Sequence, residues 1–170
     1  VLNSVALAHP EPETLLHLAN ERLYVLRGTG GRAQIRGGSF VALGYLGFRA
    51  GRGVLSYTLA GQPPPMVRRR SGEVEWLKMP DHRLPLGALR VGGHRILERA
   101  LDSGDLVVAY SDGVVEAQSP AGEFFGEERL AHALAASPAE PREAINYLLE
   151  EIEAFTCGHT PYDDVTLLAA

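Results

Sequence analysis

The spacing of apolar residues along the chain predicts helices near its two ends and strands between them. From Pro12 to Leu26, leucine and alanine recur at helical spacing, which is typical of an amphipathic helix. The same spacing predicts helices near 126–136 and from about 141 to 155, with Gly158 as the stop of the second. Apolar runs bounded by turn residues predict strands at 39–48, 53–61, 66–70, 73–77, 94–101, 106–110 and 163–170.

The order of these elements predicts a layered α+β domain. A turn at 50–53 makes a hairpin of the first two strands, and the Ser71-Gly72 turn makes a second hairpin. Strands that cluster first, with helices at both ends and a closing strand, differ from the strict βαβ alternation of a parallel nucleotide-binding sheet. We find no repeat or linker, so residues 1–170 are expected to form a single domain.

Composition and charge exclude several classes of protein. With 45% hydrophobic residues the chain is too apolar to be disordered, and no run approaches the ~20 apolar residues of a membrane-spanning helix. A net charge of −5 argues against broad nucleic-acid binding, and the one basic run, Arg68 to Arg70, is expected to be a solvated strand end. The single cysteine excludes a disulfide framework, so the default expectation is a cytoplasmic protein.

Acidic residues stand at the ends of two predicted strands. Asp112 follows the buried run 106–110 and precedes Gly113, a residue that turns the chain without steric cost, while Asp163 and Asp164 precede the final strand. If those two strands are antiparallel neighbours, the three carboxylates meet at one edge of the sheet and repel one another unless a cation neutralises them. Oxygen-only ligands favour Mg²⁺ or Mn²⁺. Taken singly, each motif is more typical of a common turn or cap than of a metal site, and that alternative stays open.

Other reactive side chains show no shared pattern. Cys157 is expected to be a small buried apolar group, and Trp76 is expected to pack on a sheet face. Only His159, four residues before Asp163, stands close enough in sequence to approach the acidic edge. The other histidines are scattered without metal-ligand spacing: His9, His17, His82, His94 and His132.

Four phrases carry a resemblance to a known family: LAGQPPPMVRRRSGEV, LPLGAL, LDSGDLVVAYSDGVVEAQSPAGEFFGEERL and DDVTLLAA. In order and spacing they resemble the SpoIIE-like bacterial branch of the metal-dependent Ser/Thr protein phosphatases of type 2C, the PPM family. The resemblance implies a sandwich of two mostly antiparallel β-sheets flanked by helices, with two Mn²⁺ or Mg²⁺ ions at one sheet edge. It also implies hydrolysis of phosphoserine or phosphothreonine by a metal-activated water, without a covalent nucleophile.

The resemblance also implies roles for individual residues. Asp112 and Asp163 match metal ligands of the family, and Asp164 matches an inner or neighbouring position. Gly113 would serve backbone geometry, and Thr166 would pack the last strand. At Gln62 this branch usually has histidine, and a neutral amide cannot act as an acid with the pKa of an imidazole, so the role of this position stays open.

A further departure concerns the start of the chain. The family takes another metal ligand from an earlier Gly-Asp motif, and the chain begins at Val1 inside an apolar segment. We therefore expect an incomplete N-terminal edge and metal site, weak or no activity of this chain alone, and self-association through the open edge.

The resemblance implies the following partners. The substrate would be a phosphorylated regulatory protein, such as an anti-sigma-factor antagonist, and a sensor or receiver domain would lie upstream. Neither nucleic acid nor membrane is an expected partner of this domain. The alternative function is a non-catalytic regulatory or binding module on the same fold.

Overall fold

The computed structural model describes residues 12–28, 40–49, 51–81, 83–159 and 162–170. In chain order the elements are α1 (Pro12–Gly28), β1 (Leu43–Arg49), β2 (Val54–Ala60), β3 (Met66–Arg68), β4 (Val74–Trp76), β5 (Leu97–Ala100), β6 (Leu106–Tyr110), α2 (Asp112–Val115), α3 (Gly126–Ala136), α4 (Pro141–Thr156) and β7 (Leu167–Ala169). The described strands form two antiparallel sheets flanked by helices, with strand orders β1-β2-β5 and β4-β3-β6-β7.

The chain divides into two compact units, Val1–Gln62 with Met79–Ala100 and Pro63–Lys78 with Leu101–Ala170. The first unit holds α1 and the three-stranded sheet. There β2 lies between β1 and β5, and the buried residues of α1 pack against Ala60 and Leu86. Asn20, which is 1% exposed, donates to the carbonyls of Leu89 and Arg90 and accepts from the Gly87 amide, so it fixes the loop that leads towards β5. That the two units form a single domain stays a prediction.

The second unit is built around β6. This strand is the continuous apolar run of the sequence, and it pairs with β3 on one side and β7 on the other. Its buried residues join those of α3 and α4 in one hydrophobic core, whose largest fully buried members include Leu106, Leu130, Leu134 and Leu148. A buried core on this unit holds the end of β6 in place, and that end carries the predicted site.

Both predicted hairpins and all three long helices are confirmed. The first hairpin pairs Leu43 with Ala60 and Arg49 with Val54, and the second pairs Met66 with Trp76. Helix α4 begins at Pro141, where the Glu140 carboxylate accepts a hydrogen bond of 2.8 Å from the Glu143 amide. The predicted strands at 39–48 and 163–170 shorten to seven and three residues.

Some burial predictions are wrong. Cys157 is exposed, because it ends α4 in the left-handed conformation with φ 51° and lies beyond the last core-facing residue, Thr156. Gly158 also has a positive φ, of 76°, so the predicted stop is shared by two residues. At the outer edges of their helices Leu26 and Leu149 are 53% and 43% exposed, because the core-facing stripes are narrower than the sequence predicts.

The arginine run is only in part the solvated strand end that the sequence predicts, since Arg70 is exposed but Arg69 is not. Arg69 is half-buried and forms ion pairs with Glu75 and with Asp105, whose side chain is 2% exposed. Burial alone would raise the pKa of Asp105, but hydrogen bonds from the Asp102 amide and the Arg69 guanidinium outweigh it, so the pKa is lowered. This cluster ties the β3–β4 hairpin to the turn before β6. Trp76, expected on a sheet face, is 41% exposed.

Candidate metal centre

The end of β6 and the start of β7 lie at the same edge of the four-stranded sheet. Val108 pairs with Ala169 and Tyr110 pairs with Leu167 in antiparallel register. The conditional geometry of the sequence analysis is therefore met, because the residues that follow β6 and those that precede β7 emerge side by side. The two acidic motifs stand on these two segments.

Asp112 opens a single-turn helix that the sequence did not predict. Helix α2 spans Asp112–Val115, and its Gly113 and Val114 are buried, Val114 within the core of the second unit. The sequence indicates only a turn at Asp-Gly, and the turn observed is one turn of helix. Asp112 itself is exposed, and its Oδ1 accepts a hydrogen bond of 3.1 Å from the Gly113 amide.

Ser111 joins the two acidic segments. Its hydroxyl donates to the carbonyl oxygen of Asp164 at 2.8 Å and accepts from the amide of Thr166 at 2.9 Å. Its backbone amide donates to the carbonyl oxygen of Thr166 at 3.0 Å. The sequence analysis assigned Ser111 no role, and an N-cap signal could not have found it, because the helix after it was not predicted and its side chain does not cap that helix.

Gly113 allows the closest approach of the two segments. A Cβ at this position would lie 2.6 Å from the carbonyl oxygen of Asp164 and 3.3 Å from the carbonyl carbon of Asp163. The backbone of Gly113 does not have a positive φ. Glycine is therefore required here for space, and not for the turn conformation that the sequence analysis assigned to it.

The donor chemistry of this edge fits a hard divalent cation. Asp112, Asp163 and Asp164 are all exposed carboxylates, and within the described ranges no basic side chain forms an ion pair with any of them. Asp163 Oδ1 accepts a hydrogen bond of 2.7 Å from the Asp164 amide, which fixes its side chain. Oxygen donors are the ligands that Mg²⁺ and Mn²⁺ prefer.

The three carboxylates form at most part of a coordination sphere. Among the residues that the structure describes, no group of three or more His, Cys, Asp or Glu side chains is close enough to hold a metal ion together. The structure thus brings the two segments together through their backbones. Any ion at this edge would need further oxygen donors from water, from a phosphate or from other residues.

Tyr110 ends β6 directly before the acidic edge. Burial, and then the negative charge of Glu127, raise the pKa of Tyr110, so the last residue of β6 is neutral at physiological pH.

His159 lies just beyond the end of α4, where its Nδ1 is 2.9 Å from the carbonyl oxygen of Thr156. Gln62 belongs to the first unit, and nothing in its surroundings assigns it a role. His9 and His82 lie outside the described residues.

Comparison with known proteins shows the family to which the chain belongs. The family described as Stage II sporulation protein E (SpoIIE) matches residues 1–170. Protein IcfG of Synechocystis sp. is 30% identical over 125 residues, which are 69% of this chain and 18% of IcfG. The chain therefore spans less than a fifth of that relative's length.

Solved structures show the same fold. The SiaA-PP2C domain of Pseudomonas aeruginosa superposes with a TM-score of 0.81 at 19% identity, covering 99% of this chain and 64% of that domain. The phosphatase domain of SpoIIE from Bacillus subtilis, in a Mn-presoaked structure, gives 0.62 at 15% identity, with 99% and 70% covered. The two antiparallel sheets with flanking helices are thus the PP2C phosphatase fold. No helix in the described part of the chain has the length and apolar character to cross a membrane.

Proposed function

Because this chain belongs to the SpoIIE family, a group of PP2C-type phosphatase domains, we propose that it hydrolyses phosphoserine or phosphothreonine in a regulatory protein. The reaction depends on divalent metal ions, Mn²⁺ or Mg²⁺, bound at the edge formed by the end of β6 and the start of β7. Asp112 and Asp163 are the metal ligands, and Asp164 is a neighbouring ligand or support.

One observation carries the proposal. Two acidic motifs far apart in sequence are held against each other so tightly that no Cβ fits at Gly113. Two unrelated turns would not require backbones in such close contact. The packing supports a site in which the relative position of Asp112 and Asp163 matters, as the geometry of a metal-assisted reaction demands.

The chain's own residues supply charge and position. When bound, divalent ions lower the pKa of water and neutralise developing charge on the phosphate. Asp112 offers its carboxylate from the first residue of α2, and Asp163 offers its own with Oδ1 steadied by the Asp164 amide. The hydroxyl beside Asp112, that of Ser111, is engaged as both donor and acceptor, which supports a mechanism without a covalent serine.

The test removes one charge at a time. Asp112→Asn and Asp163→Asn keep the size of the side chain, so folding measured by circular dichroism should not change. Mn²⁺-dependent dephosphorylation of a phosphoserine protein should fall by at least the ~10–100-fold typical of outer metal partners. The matched control is Asp102→Asn, an exposed aspartate before the opposite end of β6, and His159→Ala is a second control. Both controls should keep the parent rate.

A non-catalytic binding module is the alternative, and one observation favours it. The described residues do not assemble a complete metal-binding group. If the full-length parent protein shows no activity with any divalent ion, the module becomes the better reading. If the parent is active and its rate survives Asp112→Asn, Asp112 is only a turn residue.

The proposed partners follow from the same family membership. The substrate is a phosphorylated regulatory protein of the anti-sigma-factor-antagonist kind, and the setting is the cytoplasm. A sensor or receiver domain elsewhere in the same protein would control the activity. The length of IcfG, of which the matched segment is 18%, supports a place for this domain within a larger regulatory protein.

A further inference from the structure

We propose that Ser111 is a positioning residue for the metal ligands. Its hydrogen bonds hold the segment 163–166 in one conformation against the end of β6. The inference rests on the proposed function. Ser111 itself binds no metal and touches no substrate in this proposal. It acts through the backbone of the loop that carries Asp163 and Asp164.

The segment 163–166 lies before β7 and outside the regular strands of the sheet. Strand β7 begins only at Leu167, where it pairs with Tyr110. Before that residue, Ser111 makes three hydrogen bonds to the segment, two through its hydroxyl and one through its amide, at 2.8 to 3.0 Å. One hydroxyl bond ends at the Asp164 carbonyl and the other at the Thr166 amide, so the two bracket Val165 and hold the backbone directly after Asp163 and Asp164.

A role of Ser111 in capping helix α2 does not explain these contacts. Ser111 occupies the N-cap position with φ −87° and ψ 162°, yet its side chain makes no capping hydrogen bond to the helix. Its donor and one acceptor position are both used across the edge instead. The hydroxyl therefore serves the acidic loop and not the helix that it precedes.

Loss of the hydroxyl should weaken metal binding more than folding. Ser111 is half-buried at an exposed edge, so water can replace its bonds to the Asp164 carbonyl and the Thr166 amide. The loop would then sample more conformations before an ion binds, and that freedom must be lost on binding. Groups that orient metal ligands typically change affinity by ~10–100-fold when they are removed.

The experiment compares three variants of the protein. We measure the Mn²⁺ dissociation constant by calorimetry, the melting temperature, and hydrogen exchange of the Thr166 amide without metal. Ser111→Ala should weaken Mn²⁺ binding about tenfold or more and speed exchange at Thr166. Ser111→Thr keeps the hydroxyl and should restore binding to within about threefold of the parent. Ser137→Ala is the matched control, because it removes a buried hydroxyl that donates to the Leu134 carbonyl at 2.8 Å, far in sequence from the loop.

The outcomes separate this inference from the proposed function. A full-length parent protein that binds no divalent ion overturns the proposed function, and this inference with it. A parent that binds Mn²⁺ while Ser111→Ala binds it equally tightly overturns only the positioning role. Equal weakening by Ser137→Ala also overturns it, since general destabilisation then accounts for the loss. Should Ser111→Ala fail to fold, Ser111→Cys keeps the volume without a hydroxyl and takes its place.

Discussion

Replacing Gly113 with alanine should destabilise the protein and displace the acidic loop. The new Cβ would lie 2.6 Å from the carbonyl oxygen of Asp164, 3.0 Å from its carbon and 3.3 Å from the carbonyl carbon of Asp163. All three are backbone atoms, which cannot rotate away as the end of a long side chain can. Since Cβ atoms essentially never approach other heavy atoms within 3.0 Å, the loop or α2 must move by at least about 0.4 Å.

Two opposing effects set the size of the change. Gly113 lies in a helix and has no positive φ. Alanine alone would therefore raise the free energy of unfolding by ~1 kcal/mol, because it has a higher helix propensity and leaves the unfolded chain fewer conformations. Overpacking in a tight site costs ~1–3 kcal/mol, and more where no neighbouring side chain can yield. Because only backbone faces the new methyl group, the steric cost wins. We expect a net loss of ~1–2 kcal/mol, or ~3–6 °C in melting temperature.

Urea unfolding of Gly113→Ala is the assay, with Gly51→Ala as its control. A Cβ at Gly51 meets nothing within 4 Å, so its substitution should stay within ~0.5 kcal/mol of the parent. Gly113→Ala should also weaken Mn²⁺ binding, because the displaced loop carries Asp163. Equal stability of the two alanine variants would refute the close approach as the reason for glycine at position 113.

Three further outcomes are expected. Cys157→Gly should raise the unfolding free energy by ~0.5–1 kcal/mol, because glycine adopts a φ of 51° without strain; a lower melting temperature would contradict this. Asp105→Asn should cost ~1–3 kcal/mol at pH 7, since it breaks the pair with Arg69. Because the folded state lowers the pKa of Asp105, this contribution is present above the unfolded pKa of ~3.9 and lost as the pH falls through the folded pKa, so urea unfolding of parent and variant should converge in acid. Mn²⁺ at ~100 times its dissociation constant should stabilise the parent by ~2.7 kcal/mol in a thermal melt, and Asp112→Asn or a chelator should abolish the shift.

The two strands behind the candidate site could be predicted because local signals mark them. Apolar runs bounded by turn residues mark β6 and β7, whereas their antiparallel pairing entered the sequence analysis only as a condition. The hairpins were predictable for the same reason, since Ser71-Gly72 is a local turn signal. Local signals thus predict the strands and the acidic segments that carry the candidate site.

Contacts between distant residues were not predictable from pattern. Arg69 belongs to a basic run that resembles a solvated strand end, yet Asp105, 36 positions away, draws it into a half-buried cluster. Cys157 was expected to be buried from its residue type, whereas its place at the end of α4 exposes it. In both cases the tertiary position of the residue, and not its own chemistry, decides its exposure.

The sequence Ser-Asp-Gly at 111–113 shows why a pattern can locate a site without explaining it. Read locally, these three residues are a turn, but each contributes something different to the edge. Ser111 supplies a hydroxyl bridge, Asp112 an exposed carboxylate, and Gly113 the space left by a missing side chain. A mere turn would make substitution at each position cost stability alone. A metal site instead predicts that the three substitutions affect different measured properties: activity, metal affinity and stability. Asp112→Asn should abolish chemistry with little loss of stability, Ser111→Ala should weaken metal affinity, and Gly113→Ala should reduce both affinity and stability. The order of these three effects, more than the size of any one, distinguishes a built catalytic edge from a solvated loop.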